Sequence, residues 1–179
     1  MSEEKKNSEK NIDILEGQPC PVCHKDTLTL RELERDIPHF GKCYIFSMEC
    51  SNCDYNMSDV EAEKNENNPV KYTLDVETEE DLNIRIIKSS QATIKISRMT
   101  EITPGPVSNG YITNVEGVIR RFQDILQALK DDEDKAVRTK VKNQLKKLQK
   151  VLWGRDKLTL IIEDESGNSA ILSDKAKKS

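Results

Sequence analysis

Cys20-Pro21-Val22-Cys23 and Cys50-Ser51-Asn52-Cys53 are two CxxC pairs, and 26 residues separate Cys23 from Cys50. Two residues between paired cysteines allow a tight turn that directs both sulfurs at one ion, and two such turns complete a tetrahedral shell of four thiolates. The spacer exceeds the commonest length of about 15–20 residues, and a two-stranded ribbon with a longer loop accommodates the difference. The pattern therefore predicts one structural Zn²⁺ bound by Cys20, Cys23, Cys50 and Cys53.

Other roles for these and the neighbouring residues have weaker support. A single CxxC pair is also typical of thiol–disulfide redox proteins, but two matched pairs favour a metal site. Four cysteines already fill the shell, so neither His24 nor His39 is needed as a ligand and no position stays open for water. The fifth cysteine, Cys43, lies on a predicted strand, where a buried apolar side chain is favoured over a reactive thiol.

The composition favours a cytoplasmic protein that does not bind membranes. The chain has 179 residues and a net charge of −4, which provides no overall field that would attract a polyanion. No apolar run approaches the roughly 20 residues of a membrane span, and the first residues lack the apolar region of a signal peptide. Cysteines in a reducing compartment are more often metal ligands than disulfides.

The organisation of the chain predicts two folded units. Within the first unit, Thr27–Leu33 and Lys42–Glu49 alternate in the manner of a β-hairpin. The predicted boundaries are a flexible tail at 1–11, a zinc ribbon at 12–60, a linker at 61–69, a β domain at 70–172 with a helical hairpin inserted at about 115–152, and a second tail at 173–179.

The second unit is predicted to consist of short strands interrupted by two amphipathic helices. Val118, Phe122, Ile125 and Leu129 are predicted to share one helical face, and Val137, Val141, Leu145, Leu148 and Leu152 are predicted to share another. The acidic residues 131–134 are expected to form the turn between the helices. The predicted strands are Val70–Val76, Leu82–Ile87, Ala92–Ile96, Met99–Thr103, Leu158–Ile162 and Ser169–Leu172.

Several short strings, in their order along the chain, resemble the ZPR-type zinc-finger family, in its single-unit, archaeal-like form. The strings are Cys20-Pro-Val-Cys23, Ile37-Pro-His-Phe-Gly41, Cys50-Ser-Asn-Cys53, Arg85-Ile-Ile-Lys-Ser-Ser90, Glu101-Ile-Thr-Pro-Gly-Pro106, Asn114-Val-Glu-Gly117 and Ser166-Gly-Asn-Ser169. The resemblance implies a mainly β fold, with an N-terminal four-cysteine zinc ribbon followed by a double-stranded β-helix, a jelly-roll-like domain, that carries an α-helical hairpin. Eukaryotic members resemble two such units in tandem.

The resemblance also implies a function, because eukaryotic members bind translation elongation factor 1-alpha and assist its folding. A binding partner or folding chaperone of that factor is therefore the expected role. The segment Ile37, Pro38, His39 and Phe40 is the candidate contact surface, since these residues suit an exposed ribbon loop with one apolar anchor. The alternative, that Phe40 packs against the ribbon, stays open.

Two further classes of function compete with this one. The second predicted helix is rich in lysine, and zinc ribbons occur in nucleic-acid machinery, so an RNA- or ribosome-binding translation accessory protein is the alternative. The sequence offers no interleaved aromatic platform for stacking bases, which makes nucleic acid an unlikely partner. An enzyme is not expected, because the β domain contains no histidine and the chain has no GxSxG, Walker or HExxH string.

Overall fold

A computed structural model describes residues 12–63 and 68–179, which form a mainly β protein with two α-helices. The predicted tail at 1–11 and residues 64–67 of the predicted linker lie outside the described residues. The strands are β1 Ile12–Pro19, β2 Asp26–Ile37, β3 Gly41–Cys50, β4 Asn56–Ala62, β5 Val70–Val76, β6 Arg85–Lys88, β7 Thr93–Ile96, β8 Thr100–Ile102, β9 Tyr111–Asn114, β10 Leu158–Asp164, β11 Ala170–Leu172 and β12 Lys177–Lys178. The helices are α1 Val115–Ala128 and α2 Lys135–Leu152.

The N-terminal ribbon is an antiparallel sheet of four strands in the order β1-β2-β3-β4. The predicted β2–β3 hairpin is present, and β1 and β4 flank it on either side. The turn between β2 and β3 places His39 and Gly41 at positive φ, 68° and 96°, where the chain reverses. Since β4 runs to Ala62, the ribbon extends beyond the predicted boundary at residue 60.

The second unit contains two antiparallel sheets that share one hydrophobic core. The larger sheet has the order β12-β5-β10-β7-β8 and the smaller one has the order β11-β6-β9. β10 is central, and its alternate residues Leu158, Leu160 and Ile162 point into the core. Leu160 lies opposite both Leu74 and Ile96, so apolar rows run across three strands.

The two helices close the core, and each begins at a side-chain cap. The Asn114 side chain accepts a 2.8 Å hydrogen bond from the Gly117 N–H at the start of α1, and Asp134 accepts one of 2.7 Å from Ala136 at the start of α2. The acidic stretch therefore lies in the connecting turn, as predicted. No helix in residues 12–63 or 68–179 is long and apolar enough to cross a bilayer.

The buried face of α1 differs from the prediction. Ile125 and Leu129 are 47% and 44% exposed, whereas Ile119 and Leu126 are buried beside Phe122. The predicted and the observed sets of residues are both apolar, so the helix sequence alone allows either set to be buried. Packing against the core selects the set that begins at Val115, the first residue of the helix. The α2 prediction is closer, because Val141 and Leu148 are buried and Val137, Leu145 and Leu152 pack against the core.

Two other predictions are corrected by the structure. Leu82 lies in a 3-10 helix, Glu80–Asn83, rather than in a strand. The Asp81 carboxylate accepts hydrogen bonds from the N–H groups of Glu77 and Thr78, which stabilises that turn. The segment 173–179 is not a free tail, because β12 pairs with β5 and Lys175 contacts Asp81 at 2.5 Å.

Candidate functional site

The four cysteines of the two CxxC pairs converge at one end of the ribbon. Their sulfur atoms all lie within 4.8 Å of one another, with Cys20 to Cys53 and Cys23 to Cys50 both at 3.7 Å. A tetrahedral zinc with Zn–S bonds of about 2.3 Å places its sulfurs about 3.8 Å apart. The donor set and its spacing therefore fit one Zn²⁺.

Each CxxC pair forms a knuckle whose backbone turns back on itself after the second cysteine. His24 and Asp54 follow Cys23 and Cys53, and both adopt positive φ, 59° and 56°. In the first knuckle, the Cys20 N–H donates to the Lys25 carbonyl at 2.9 Å. In the second, the Cys50 N–H donates to the Tyr55 carbonyl at 2.8 Å. The two knuckles are thus built alike, one after β1 and the other after β3.

The sulfurs of the cluster perturb one another's ionisation. The Thr27 hydroxyl, 3.3 Å from Cys50 Sγ, lowers the pKa of the Cys50 thiol to about 6. At Cys53 the backbone of Tyr55 favours the thiolate, but burial and the three neighbouring sulfurs outweigh it and raise the pKa to about 12. Several negative sulfurs at this separation repel one another, and a divalent cation between them would stabilise all four thiolates together.

The zinc site has a closed protein shell. Cys20 and Cys50 are buried and the other two cysteines are half-buried. Among the described residues, His24 and His39 are not part of the cluster, in agreement with a shell of four sulfurs. Such a shell supplies no Lewis-acid position for a substrate, so the metal holds the two knuckles together and has a structural role.

Cys43 lies away from the metal cluster. It is fully buried and belongs to an apolar cluster with Ile37, Val60 and Ile87. Burial raises the pKa of its thiol. It therefore behaves as a small core side chain.

The segment predicted to contact a partner lies at the junction between the ribbon and the β domain. Ile37 is buried in the junction cluster that contains Cys43, and Phe40 is half-buried against it. This cluster also includes Ile87, Ile112 and Leu172 of the β domain. Pro38 and His39 are exposed. Phe40 thus packs against the β domain as well as the ribbon, and two residues of the segment stay accessible.

Next to these apolar residues, polar contacts fasten the outer edge of β4 to the β domain. The Ser58 carbonyl accepts from the Gly110 N–H at 2.8 Å, and the Ser58 hydroxyl donates to the Gly110 carbonyl at 2.9 Å. The Asp59 carboxylate accepts from both the N–H and the hydroxyl of Ser90. Farther along, the Ala62 N–H donates to Asn168 Oδ1 at 3.0 Å.

A second, fully buried carboxylate organises the loops behind this junction. Asp164 is 2% exposed and accepts from the hydroxyls of Ser89, Ser166 and Ser169 at 2.5–2.8 Å. Burial alone would raise its pKa, but these hydroxyl donors outweigh burial and lower it. Lys88 is 3% exposed and donates to the Ser89 carbonyl at 2.8 Å, and burial lowers its pKa.

The four cysteines that the sequence predicts as zinc ligands lie together in the structure, whereas the carboxylates at and behind the junction were not predicted. A signal for Asp164 was present, because it occupies the fourth inward position of an alternating strand after Leu158, Leu160 and Ile162. An acidic residue at an inward position indicates a buried, hydrogen-bonded carboxylate. Asp59 had no such signal, since its partner Ser90 is 31 residues away in sequence.

Two family models match the chain over both units. One, described as the ZPR1 zinc-finger domain, matches residues 13–65, and the other, the ZPR1 jelly-roll domain, matches residues 80–179. The first match covers the four-cysteine cluster. The second covers the helical hairpin and most of the two-sheet unit, which is therefore a jelly-roll domain.

Individual relatives give the same result. A ZPR1-like protein of Methanocaldococcus jannaschii is 40% identical over 162 residues, which cover 87% of this chain and 79% of the relative. A ZPR1-like protein of Pyrococcus horikoshii is 34% identical over 164 residues, covering 88% and 73%. A protein of Schizosaccharomyces pombe named zinc finger chaperone zpr1 is 27% identical, covering 96% of this chain and 41% of the relative. With its zinc-finger and jelly-roll units in this order, the chain belongs to the ZPR1 zinc-finger family.

Proposed function

We propose that this protein is a cytoplasmic zinc-ribbon module that binds translation elongation factor 1-alpha and assists its folding. The observation that carries the proposal is the closed four-cysteine centre in a ribbon anchored to a jelly-roll domain, within a family that includes a relative named as a chaperone. A metal without an open position stabilises a surface, and a stabilised surface suits binding rather than turnover.

The charge distribution also supports a protein partner. The Lys42 ammonium contacts Glu34 and Glu63 at 3.0 and 3.2 Å, and acidic residues are frequent on the ribbon strands. A surface of this kind attracts basic protein segments and repels nucleic-acid phosphates. The ribbon is therefore better suited to a protein than to RNA.

The decisive experiment is affinity purification of the tagged, zinc-loaded chain from an extract of its native host. We expect elongation factor 1-alpha to be recovered and to be identified by mass spectrometry. Recovery of ribosomal RNA without the factor would refute the proposal. The Cys50→Ser variant is the control for specificity, because a zinc-free ribbon should not retain the factor.

The contribution of the Ile37–Phe40 segment can be tested by two substitutions. Phe40→Ala removes a ring that packs at the junction, so it should weaken both the junction and any partner contact. His39→Asn changes an exposed side chain, and asparagine tolerates the positive φ of this position. If this segment contacts the factor, His39→Asn should weaken capture with unchanged zinc content and melting temperature, whereas unchanged capture would place the contact elsewhere.

An RNA- or ribosome-binding role has one favourable observation. Seven basic residues of α2 are exposed, and four of them repeat at intervals of four along the helix. The seven are Lys135, Arg138, Lys140, Lys142, Lys146, Lys147 and Lys150. A salt-dependent affinity for structured RNA, lost when Lys142 and Lys146 are both changed to Glu, would support this role.

A further inference from the structure

The outer strand of the ribbon, β1, has a free edge in the described part of the chain. The sheet order places β1 beside β2 and beside no other described strand. Ile12, Ile14 and Leu15, which lie within one stretch of four residues, are 41%, 52% and 59% exposed. Proteins usually protect such edges with lysine, proline or a covering segment, because an unpaired edge is a template for another strand. Residues 12–15 include neither lysine nor proline.

The strand register shows what an added strand would contact. Leu15 lies opposite Leu30, which lies opposite Met48, so one apolar row crosses the ribbon and ends at the free edge. Ile12 ends a second apolar row, through Leu33 and Ile45, on the other face. A further strand could extend both rows at once.

The same register gives the edge a charge preference. Asp13 lies opposite Glu32 on the face that carries Leu15, and neither carboxylate has an ion-pair partner within residues 12–63 and 68–179. Both residues line a groove of about 270 Å³, together with Leu15, Leu30, Phe46, Ser47 and Met48. Arg31 also lines this groove, but its guanidinium pairs with Glu49 at 3.0 Å. Two unpaired carboxylates beside an apolar row favour a partner with an apolar and a basic side chain on that face.

A regular pairing surface is available only over residues 12–15. The register of β1 shifts between Leu15 and Gln18, and Gly17 adopts φ 69° within this bulge. Bulges end regular pairing and turn a strand away from its neighbours. The free edge therefore accommodates about four residues of an added strand.

We propose that β1 is a docking edge for an extended segment of a partner protein, which adds antiparallel to Ile12–Leu15. The segment carries apolar residues opposite Leu15 and Ile12 and a lysine or arginine opposite Asp13. The proposal rests on the proposed function, in which the protein binds a folding partner, and it names the surface and the class of segment. A second copy of the chain fits less well, because the only charged residues of β1 are the acidic Asp13 and Glu16.

The test uses a synthetic peptide and the full-length, zinc-loaded protein. The probe is acetyl-Gly-Thr-Leu-Val-Lys-Val-Thr-Gly-amide, and the matched peptide has glutamate in place of lysine. Binding is followed by amide chemical shifts and by calorimetry. We expect the lysine peptide to shift the amides of residues 12–15 and to bind about tenfold more tightly than the glutamate peptide, as cross-strand charge pairs allow.

Matched variants distinguish peptide binding at this edge from nonspecific binding to other exposed side chains. Leu15→Lys should reduce peptide binding at least about tenfold, whereas Val107→Lys, at another highly exposed apolar position, should leave it unchanged. Glu32→Lys should remove the preference for the lysine peptide, and the exposed Glu165→Lys should not. Equal affinity for the two peptides, or binding unaffected by Leu15→Lys, would overturn the proposal.

Further outcomes distinguish the proposals. A dimer in sedimentation that Leu15→Lys converts to a monomer would assign the edge to a second copy and overturn a partner segment. If the wild-type chain captures elongation factor 1-alpha and Leu15→Lys captures it equally, the docking edge is wrong and the proposed function stands. If the wild-type chain captures no factor but binds the lysine peptide at β1, the proposed partner is wrong and the edge stands.

Discussion

Removing the metal from the ribbon should unfold its tip and leave the jelly-roll core folded. Each knuckle contains four residues, and fixing the backbone costs about 1–2 kcal/mol per residue, or roughly 8–16 kcal/mol for both knuckles. Besides the cysteines, Leu28 is the buried apolar residue of the tip, and its burial contributes only about 1.5–3 kcal/mol to the stability of the tip. A structural zinc contributes about 10–16 kcal/mol, which offsets the difference. Without the metal, the cost of ordering the knuckles exceeds what the apolar contacts return, so the tip should be open.

Hydrogen exchange followed by mass spectrometry measures this opening directly. In Cys50→Ser, we expect the amides of Cys20, His24 and residue 50 to exchange at nearly unprotected rates, because their hydrogen bonds lie within the knuckles. The amides around Leu160 should keep their protection, since that strand lies in the centre of a different core. Cys43→Ala is the control, as it removes a cysteine that is not a ligand.

The result that would refute this reasoning is specific. If Cys50→Ser contains no metal and its knuckle amides stay as protected as in the wild type, apolar contacts rather than zinc sustain the tip. If protection is lost across the whole chain, the ribbon and the jelly-roll domain unfold together, and the metal stabilises more than its own end of the sheet.

Three further substitutions test the polar contacts. The pKa of Asp81 in the folded state is about 2, below its ordinary value of 3.8, because its hydrogen-bond donors outweigh the effect of burial. Asp81→Asn should therefore lower the free energy of unfolding, measured with urea at pH 7, by about 2 kcal/mol. That contribution is complete above pH 3.8 and is lost as the pH falls through 2, so the variant and wild type should converge there. In Gly110→Ala the added Cβ would lie 2.9 Å from Asp59 Cα, and the melting temperature should fall by an amount equivalent to about 1–3 kcal/mol; an unchanged value would contradict this close approach. Asp164→Asn should lower the free energy of unfolding by about 2 kcal/mol, because a neutral amide replaces the carboxylate that accepts hydrogen bonds from the serine hydroxyls. Equal urea midpoints for the variant and the wild type would contradict this role.

The zinc centre, the β2–β3 hairpin and the existence of both helices could be predicted because their signals are local. Two residues between cysteines determine the shape of each knuckle, and the alternation in β3 requires no knowledge of its neighbours. The cap at Asp134 likewise lies within the turn that it stabilises. Each of these features depends on residues that are close in sequence.

The remaining features depend on pairing between distant segments. β12 carries almost no apolar signal, yet it pairs with β5, about 100 residues earlier, as Lys177 opposite Thr73 shows. The buried stripe of α1 could not be selected from the helix alone, because Ile119 and Ile125 are equally apolar and only packing against the rest of the core distinguishes them. The sequence left open whether Phe40 is exposed or packed, because the β-domain residues of the cluster against which it packs lie far away in the sequence.

The position of the metal connects the structural and the binding roles of the ribbon. β1 ends at Pro19, directly before the first knuckle, and β4 begins at Asn56, shortly after the second. Zinc therefore clamps the β1–β2 and β3–β4 connections together. β4 is fastened to the jelly-roll domain by Ser58 and Asp59, whereas β1 at the opposite edge is held through β2. With one edge fixed and both connections clamped, the free edge keeps its register, so a metal with no open coordination position would support the proposed docking of a partner segment at β1.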